Sequence, residues 1–235
     1  DFPSYQQADM VIKSALKLVS DAHAPAVFSL STFESGTRAE ESTFRAHEAT
    51  RDKKTNPFIH LYESNLIPSE NWQDYDVVGI SIIGISQIIP GLTLARQLKE
   101  KFPHLHITLG GPIFSVNAGQ LIGHPEFFDD FCHSIVTFEG EEPMHRLLTA
   151  LKAGDALSTV PNLIHLEERE VVHNKERVEL RFEEIPGPTF DGLPMHSYLS
   201  PYPIIPVLQS RGCYWGKCTF CTHSFVYGHG YGKQK

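Results

Sequence analysis

The sequence predicts an α/β protein whose centre is a doubly wound parallel sheet. Between residues 25 and 155, short apolar and β-branched runs alternate with stretches of helical period. The clearest strand is DVVGISIIG at 76–84, and the clearest helix is GLTLARQLKEKF at 91–102, where large apolar residues recur at intervals of four. Strands joined by such helices lie parallel, and helices cover both faces of their sheet.

The other elements follow from the same two patterns. Apolar residues at helical spacing between positions 11 and 19 predict a helix before the first strand. A further helix is predicted at 142–154, with Pro143 in its first turn and Gly154 after its last. The charged segment 32–55 predicts an exposed helix or loop. The predicted strands are AVFSL (26–30), FIHLY (58–62), DVVGISIIG (76–84), HITLGG (106–111) and SIVTF (134–138).

The pattern changes after residue 155. NLIHLEEREVVHN, at 162–174, has two alternating runs around an acidic turn and predicts a hairpin. A proline-rich connector follows, and IIPVLQS (204–210) predicts one more buried strand. The predicted organisation is an α/β domain at 1–158, a hairpin and linker at 159–203, and the start of a second domain at 204–235.

Composition and charge narrow the possible partners. The 235 residues are 41% hydrophobic and 20% charged, which suffices for one sizeable core. The net charge is -8 and no run of Lys and Arg offsets it, so nucleic acid is not an expected partner. No apolar run approaches the roughly 20 residues that a membrane span needs, and the chain does not start with a signal peptide. The sequence therefore predicts a cytoplasmic protein with no membrane partner.

Three of the four cysteines, Cys213, Cys218 and Cys221, lie within nine positions. Three clustered thiols cannot pair evenly, which argues against disulfides. Zinc is a second interpretation, because it binds three thiolates with a histidine and His223 is near, although zinc ligands usually form two separated pairs. An iron–sulfur cluster is favoured, since its irons take thiolates from a tight loop and three cysteines leave one iron open. Cys132 is predicted to be a small buried apolar residue.

Two sets of residues resemble a known family. SRGCYWGKCTFC, directly after the last predicted strand, resembles the cluster-binding loop of radical S-adenosylmethionine (SAM) enzymes. The upstream DVVGISIIGISQ, HITLGGP and TFEGEEP, in that order, resemble the Rossmann-like cobalamin-binding domain that precedes the radical SAM barrel in one branch of that family. The loop departs from the usual pattern, because four residues instead of three separate its first two cysteines.

The resemblance implies a mechanism with named parts. Cys213, Cys218 and Cys221 would bind three irons of a [4Fe-4S] cluster, and SAM would chelate the fourth. An electron from the cluster would break a carbon–sulfur bond of SAM and give a 5′-deoxyadenosyl radical. Phe220 resembles the aromatic residue near the adenine, and 204–210 would be the first strand of a partial TIM barrel. An electron donor such as flavodoxin or ferredoxin and a small-molecule or peptide substrate are also implied.

For cobalamin, the resemblance points to the carboxyl ends of three predicted strands, where open α/β sheets bind ligands. The Asp-x-His-x-x-Gly fingerprint is missing, so we expect no protein nitrogen on the lower face of the cobalt. Gly110 and Gly111 would leave room for the nucleotide tail, which predicts that Gly111→Leu impairs cobalamin binding far more than folding. The candidate cobalamin residues are Ser81, Gly84, Ser86, Gln87, Gly110, Gly111, Pro112, Glu139 and Gly140.

The expected function is methyl transfer to an unactivated carbon or phosphorus centre by a cobalamin-dependent radical SAM enzyme. SAM would supply the methyl group and methylcobalamin would be its immediate donor. One alternative is a cobalamin-independent radical rearrangement or sulfur insertion, and another is a non-catalytic module that binds cobalamin or zinc. Because only the first barrel strand and the cluster loop are predicted, we expect this chain to be a fragment that is inactive alone.

Overall fold

The computed structural model describes residues 2–178, 184–208, 210–227 and 232–233. The first helix, α1 (Phe2–Ala22), is confirmed, and none of its residues is buried. In the described part of the chain, no helix combines the length and the apolar character that crossing a membrane requires.

Two short strands follow the first helix. β1 (Val27–Phe28) and β2 (Phe33–Glu34) pair antiparallel in a small sheet of their own, so the strand predicted at 26–30 exists but lies outside the main sheet. Helix α2 (Thr43–Ala49) comes next. The prediction that 32–55 is exposed is only partly correct, because one face of this segment is buried at Phe33, Ala39 and Ala46.

The strand predicted at FIHLY (58–62) is wrong. Helix α3 (Phe58–Leu61) begins after Pro57, continues through a π-helical turn at Tyr62–Leu66, and ends in α4 (Ile67–Ser69). Ile59 is buried, and its carbonyl accepts a hydrogen bond from the Gln97 side chain at 3.0 Å. A short apolar run fits a buried strand and a buried helix equally well, and here tertiary packing favours the helix.

The main sheet contains β3 (Val77–Ser81), β4 (His106–Gly110), β5 (Ser134–Val136), β6 (Leu163–Glu167) and β7 (Glu170–His173), side by side in chain order. The first three strands pair parallel, as predicted, whereas the last two pair antiparallel. The predicted hairpin is therefore confirmed, but it extends the main sheet, which is mixed rather than wholly parallel.

Helices cover both faces of this sheet. The connections contain α5 (Ile88–Lys101), α6 (Pro112–Leu121), α7 (Pro125–Phe131) and α8 (Glu141–Ala153). Consecutive strand residues point to opposite faces. Ile135 belongs to the larger core cluster, which includes residues of α5 and α7, whereas Val136 belongs to a smaller cluster with α8. The α/β architecture with helices on both sides is confirmed.

The cysteine segment has little regular structure. β8 (Ser210–Arg211) pairs antiparallel with β9 (Gly232–Lys233), and α9 (His223–Val226) is a single helical turn. Residues 204–208 form no strand and Gln209 lies outside the described residues, so of the barrel strand predicted at 204–210 only Ser210 is found in a strand, as the first residue of the short β8.

Candidate functional site at the carboxyl edge of the parallel strands

The first candidate loop follows β3. Ser81 is the last residue of that strand and is exposed. The side-chain oxygen of Gln87 accepts hydrogen bonds from the backbone N–H groups of Ile83 (2.8 Å) and Gly84 (3.4 Å), which closes the loop before α5. Ser86 lies within the same turn. A Cβ built on Gly84 would meet no atom within 4 Å, so this loop leaves open space at the edge of the sheet.

The second candidate loop joins β4 to α6, and its glycines differ in role. A Cβ on Gly110 would meet only the Val136 carbonyl oxygen at an ordinary 3.6 Å. Gly111 has φ +112°, and a Cβ there would lie 2.2 Å from the Ile82 carbonyl oxygen. The fold itself therefore requires glycine at 111. The prediction that Gly111→Leu would impair cobalamin binding more than folding is wrong, because the new side chain would collide with backbone first. Pro112 begins α6.

The third candidate loop joins β5 to α8. Phe138 adopts φ +61°, and its backbone N–H donates to the Ser115 hydroxyl at 2.6 Å, which fixes the loop against α6. Gly140 precedes α8, and Glu141 is the first residue of that helix. Glu139 lies between Phe138 and Gly140 in this loop, and its side chain is buried.

A single arginine joins this loop to the cysteine segment. Arg211 Nη1 lies 3.3 Å from Glu139 Oε1, and Arg211 Nη2 donates to Glu141 Oε1 at 2.8 Å. Burial lowers the pKa of the Arg211 guanidinium, but the hydrogen bond and charge of Glu141, followed by those of Glu139, outweigh burial and raise the pKa overall. Glu139, a candidate cobalamin residue, and Glu141, the first residue of α8, thus form ion pairs with the residue two positions before Cys213.

The other side of the cysteine segment contacts the same loop. The rings of Phe225 and Phe138 lie 5.5 Å apart in an edge-on arrangement, and the Arg177 guanidinium lies 4.0 Å from the centre of the Phe138 ring. Val226 is buried, and its carbonyl accepts from Arg177 at 3.5 Å. The cysteines are therefore flanked on both sides by contacts to the carboxyl end of β5.

The three clustered cysteines lie between these contacts. Cys213 is half-buried, whereas Cys218 and Cys221 are exposed. Left-handed backbone at Gly212 (φ +80°) and Gly216 (φ +60°) turns the chain around Cys213, and the Gly216 N–H donates to the Cys213 sulfur at 3.4 Å. Within the ranges that the structure describes, no three His, Cys, Asp or Glu side chains stand close enough together to hold a metal ion.

Other residues singled out from the sequence are placed as follows. Phe220 is 89% exposed. His223, the candidate fourth zinc ligand, places Nε2 3.2 Å from the Gly212 carbonyl oxygen. Cys132 is buried, as predicted, and burial raises the pKa of its thiol far above the usual value. Its thiol is therefore a poor candidate for metal binding.

A cavity of about 840 Å³ lies between the segment around residues 33–46, the amino-terminal part of α5, and the length of α6 with the start of α7. Ile85 and Ile113 line it and immediately follow Gly84 and Pro112, but the predicted cobalamin residues themselves do not line it. The sequence did not predict the polar residues that line this cavity, because a charged segment has the same composition whether it is exposed to solvent or lines a cavity. These polar residues include Ser35, Arg38, Glu40, Asn117 and His124.

Comparison with known proteins agrees with this architecture. No family model matches the chain. An uncharacterized methyltransferase of Pyrococcus horikoshii is 29% identical over 157 residues, which are 66% of this chain and 33% of the relative. The chain thus spans about a third of that relative's length.

Solved structures of OxsB, a cobalamin-dependent SAM radical enzyme, are also similar. The one with aqua-cobalamin bound has a TM-score of 0.54 and 26% identity, over 75% of this chain and 23% of that chain. The one with aqua-cobalamin and SAM bound has a TM-score of 0.53 and 24% identity over the same shares. The resemblance predicted from the sequence is confirmed: over three quarters of its length, the chain is similar to part of a cobalamin-dependent radical SAM enzyme.

Proposed function

We propose that the chain is part of a radical SAM enzyme that binds a [4Fe-4S] cluster, SAM and cobalamin and transfers a methyl group to an unactivated carbon or phosphorus centre. The observation that carries the proposal is the position of the three-cysteine loop, which is held at the carboxyl end of β5 by Arg211 and Phe225. That edge is where open α/β sheets bind ligands. The relatives support the cofactors and the methyl transfer, since OxsB binds aqua-cobalamin and SAM and the Pyrococcus protein is called a methyltransferase.

The donor set of the loop fits an iron–sulfur cluster. Cys213, Cys218 and Cys221 are free thiols on irregular backbone that can rearrange around iron. Zinc fits less well, because its protein ligands usually form two separated pairs, whereas these three cysteines lie in one short loop. When bound, the cluster supplies an electron and one iron without a protein ligand. The chain's own part is to hold the three other irons and to present the exposed ring of Phe220 beside Cys221, where it could contact the adenine.

The three loops at the strand ends fit a large flat ligand. The space around Gly84 is open. At Gly110, the Val136 carbonyl oxygen is the one atom within 4 Å of an added Cβ, and it lies at an ordinary contact distance. The hydroxyls of Ser81 and Ser86 and the backbone at Pro112 and Gly140 border this edge. Cobalamin, when bound, supplies a cobalt centre that can carry a methyl group. The residues around it position the corrin and limit its contact with water.

Metal content tests the cluster directly. After anaerobic reconstitution with iron and sulfide we expect about four irons and four sulfides per chain, the content of one [4Fe-4S] cluster. Cys213→Ala, Cys218→Ala and Cys221→Ala should each abolish it, because each removes one iron ligand. Iron and sulfide assays with a visible spectrum measure the outcome.

Cys132→Ala is the matched control, since it removes a thiol that is buried away from the loop. It should keep the full iron content and cost only about 1 kcal/mol of stability through the small cavity it creates. Stoichiometric zinc with little iron, when both metals are offered, would overturn the proposal in favour of a zinc module.

Cobalamin binding is tested by titration with hydroxocobalamin. We expect binding with a spectrum that lacks a lower nitrogen ligand, and Gly84→Leu should weaken it at least tenfold by filling the open space beside β3. Gly119→Leu is the matched control, because Gly119 lies in α6 and is equally open to a new side chain. If a folded protein failed to bind at about 100 µM cofactor, or if both substitutions weakened binding equally, the strand ends would not be the cobalamin site.

The remaining roles are proposed from the resemblance alone. They are an electron donor such as flavodoxin or ferredoxin, a small-molecule or peptide substrate, and a cytoplasmic location. The predicted domain boundaries and the inactivity of this chain on its own also stay predictions.

A further inference from the structure

Arg211 stands between the cysteine loop and the α/β sheet. It precedes Gly212 and Cys213, and its guanidinium contacts the carboxylates of Glu139 at 3.3 Å and Glu141 at 2.8 Å. The side chains of Arg211 and Glu139 are only 18% and 6% exposed, whereas that of Glu141 is 38% exposed. One cation in the cysteine loop thus meets two carboxylates, a buried one before α8 and a partly exposed one at the first residue of that helix.

We propose that Arg211 is a positioning residue that docks the cysteine loop onto the β5–α8 loop, so that the thiols and the strand end keep one fixed separation. This inference rests on the proposed function, because the docking matters only if the loop carries the cluster beside a second ligand. Arg211 precedes the first of the three thiols by two positions, and it acts by fixing where they lie.

The electrostatics make this contact hard to replace. Glu139 is a buried carboxylate, and leaving a buried charge without its cation costs far more than losing an exposed ion pair. Arginine suits the place because its planar fork donates in two directions at once, which a lysine ammonium does with less geometric control. Substitution of Arg211 would leave the Glu139 carboxylate buried without this cation whenever the loop stays docked, so the docked state depends on the arginine.

The packing on the far side of the cysteines supports the same conclusion. Phe225 contacts Phe138, which is the residue before Glu139. Residues 211 and 225 therefore hold the two ends of the cysteine segment against a stretch of only a few residues. This aromatic contact is partly exposed, since Phe225 is 51% exposed. The directional contacts that dock the loop therefore come from the Arg211 guanidinium.

Hydrogen exchange of the metal-free chain tests the docking without any cofactor. The amides to follow are those of Cys221, Val226 and Tyr227, whose N–H groups donate within the segment. In Arg211→Gln and in Glu141→Gln we expect these amides to exchange about tenfold faster, which corresponds to about 1.4 kcal/mol of lost coupling. Amides of β4 should not change, which shows that the variants are folded.

Two further variants decide between docking and a general charge effect. Glu142→Gln removes a charge from the same helical turn, but Glu142 pairs with Arg146 at 2.7 Å, so exchange should not change. Arg211→Lys keeps a cation beside Glu139 and Glu141, and should keep protection to within about threefold of the unsubstituted chain. Unchanged exchange in Arg211→Gln, an equal effect of Glu142→Gln, or exchange in Arg211→Lys as fast as in Arg211→Gln would each overturn the proposal.

A second readout uses reconstituted protein. Arg211→Gln should lose iron to a chelator about tenfold faster than the unsubstituted chain, and Arg211→Lys should lose it more slowly than Arg211→Gln does. An equal rate of loss in Arg211→Gln would overturn the positioning role. If the unsubstituted chain took up no iron at all, the proposed function would fail, while the exchange experiment would still decide the docking.

Discussion

Gly111 lies in the β4–α6 loop of the candidate site, and the fold itself requires glycine there. Its φ of +112° and the Ile82 carbonyl, 2.2 Å from any added Cβ, exclude other residues. We expect Gly111→Ala to lower the free energy of unfolding by about 3 kcal/mol, because strain and collision with backbone add. Gly84→Ala should change it by less than about 0.5 kcal/mol, since its backbone is extended and the space beside it is open. Urea unfolding of the two variants measures the difference, and equal stabilities would contradict the structure.

The same residue shows what local sequence could not reveal. The pair Gly110–Gly111 was predicted to leave room for a ligand, but the atom that excludes a side chain at 111 belongs to the chain just beyond β3, about 30 positions earlier. By contrast, the three cysteines and the burial of Cys132 follow from spacing and residue type. The partner of Glu139 and Glu141 could not be predicted, because no pattern joins residues 70 positions apart in the chain.

At the scale of elements, periodicity predicted the parallel strands and the long helices. β3, β4 and β5, together with α5 and α8, lie where β-branched runs and leucine repeats placed them. FIHLY failed because five apolar or aromatic residues have no decisive period, and contact with α5 selects the helix. The hairpin was predicted, but its pairing with β5 was not. That pairing joins strands far apart in the chain, and the alternation of apolar and polar residues within the hairpin does not specify it.

At the scale of the whole molecule, the two ends of the parallel strands have different chemistry. The carboxyl ends carry the open loops, the cavity and the docked cysteine segment. The amino ends carry two half-buried histidines: His106 contacts the Ser134 hydroxyl at 2.8 Å, and its ring lies 5.1 Å from that of His133. The candidate chemistry and this histidine pair are thus separated by the length of the strands.

The histidine pair predicts how the stability of the whole protein depends on pH. Burial first, and then His133 and Lys99, lower the pKa of His106 to about 4, and burial followed by Lys99 lowers the pKa of His133 to about 4. Nδ1 of His133 also accepts the Ile107 N–H at 2.9 Å, which a proton on that nitrogen would prevent. Between pH 6.5 and 4 the unfolded chain therefore binds protons that the native state does not, so stability falls as the pH falls through that window.

At pH 5 each histidine lowers the free energy of unfolding by at most about 2 kcal/mol. Partial exposure of the two rings reduces this to about 1 kcal/mol for each histidine. Urea unfolding at pH 7 and pH 5 measures it. The double variant His106→Gln, His133→Gln should lose about 2 kcal/mol of that pH dependence, because glutamine does not titrate in this window. His145→Gln, on the exposed face of α8, should keep the dependence of the unsubstituted protein. A double variant as acid-sensitive as the parent would show that other groups carry the effect.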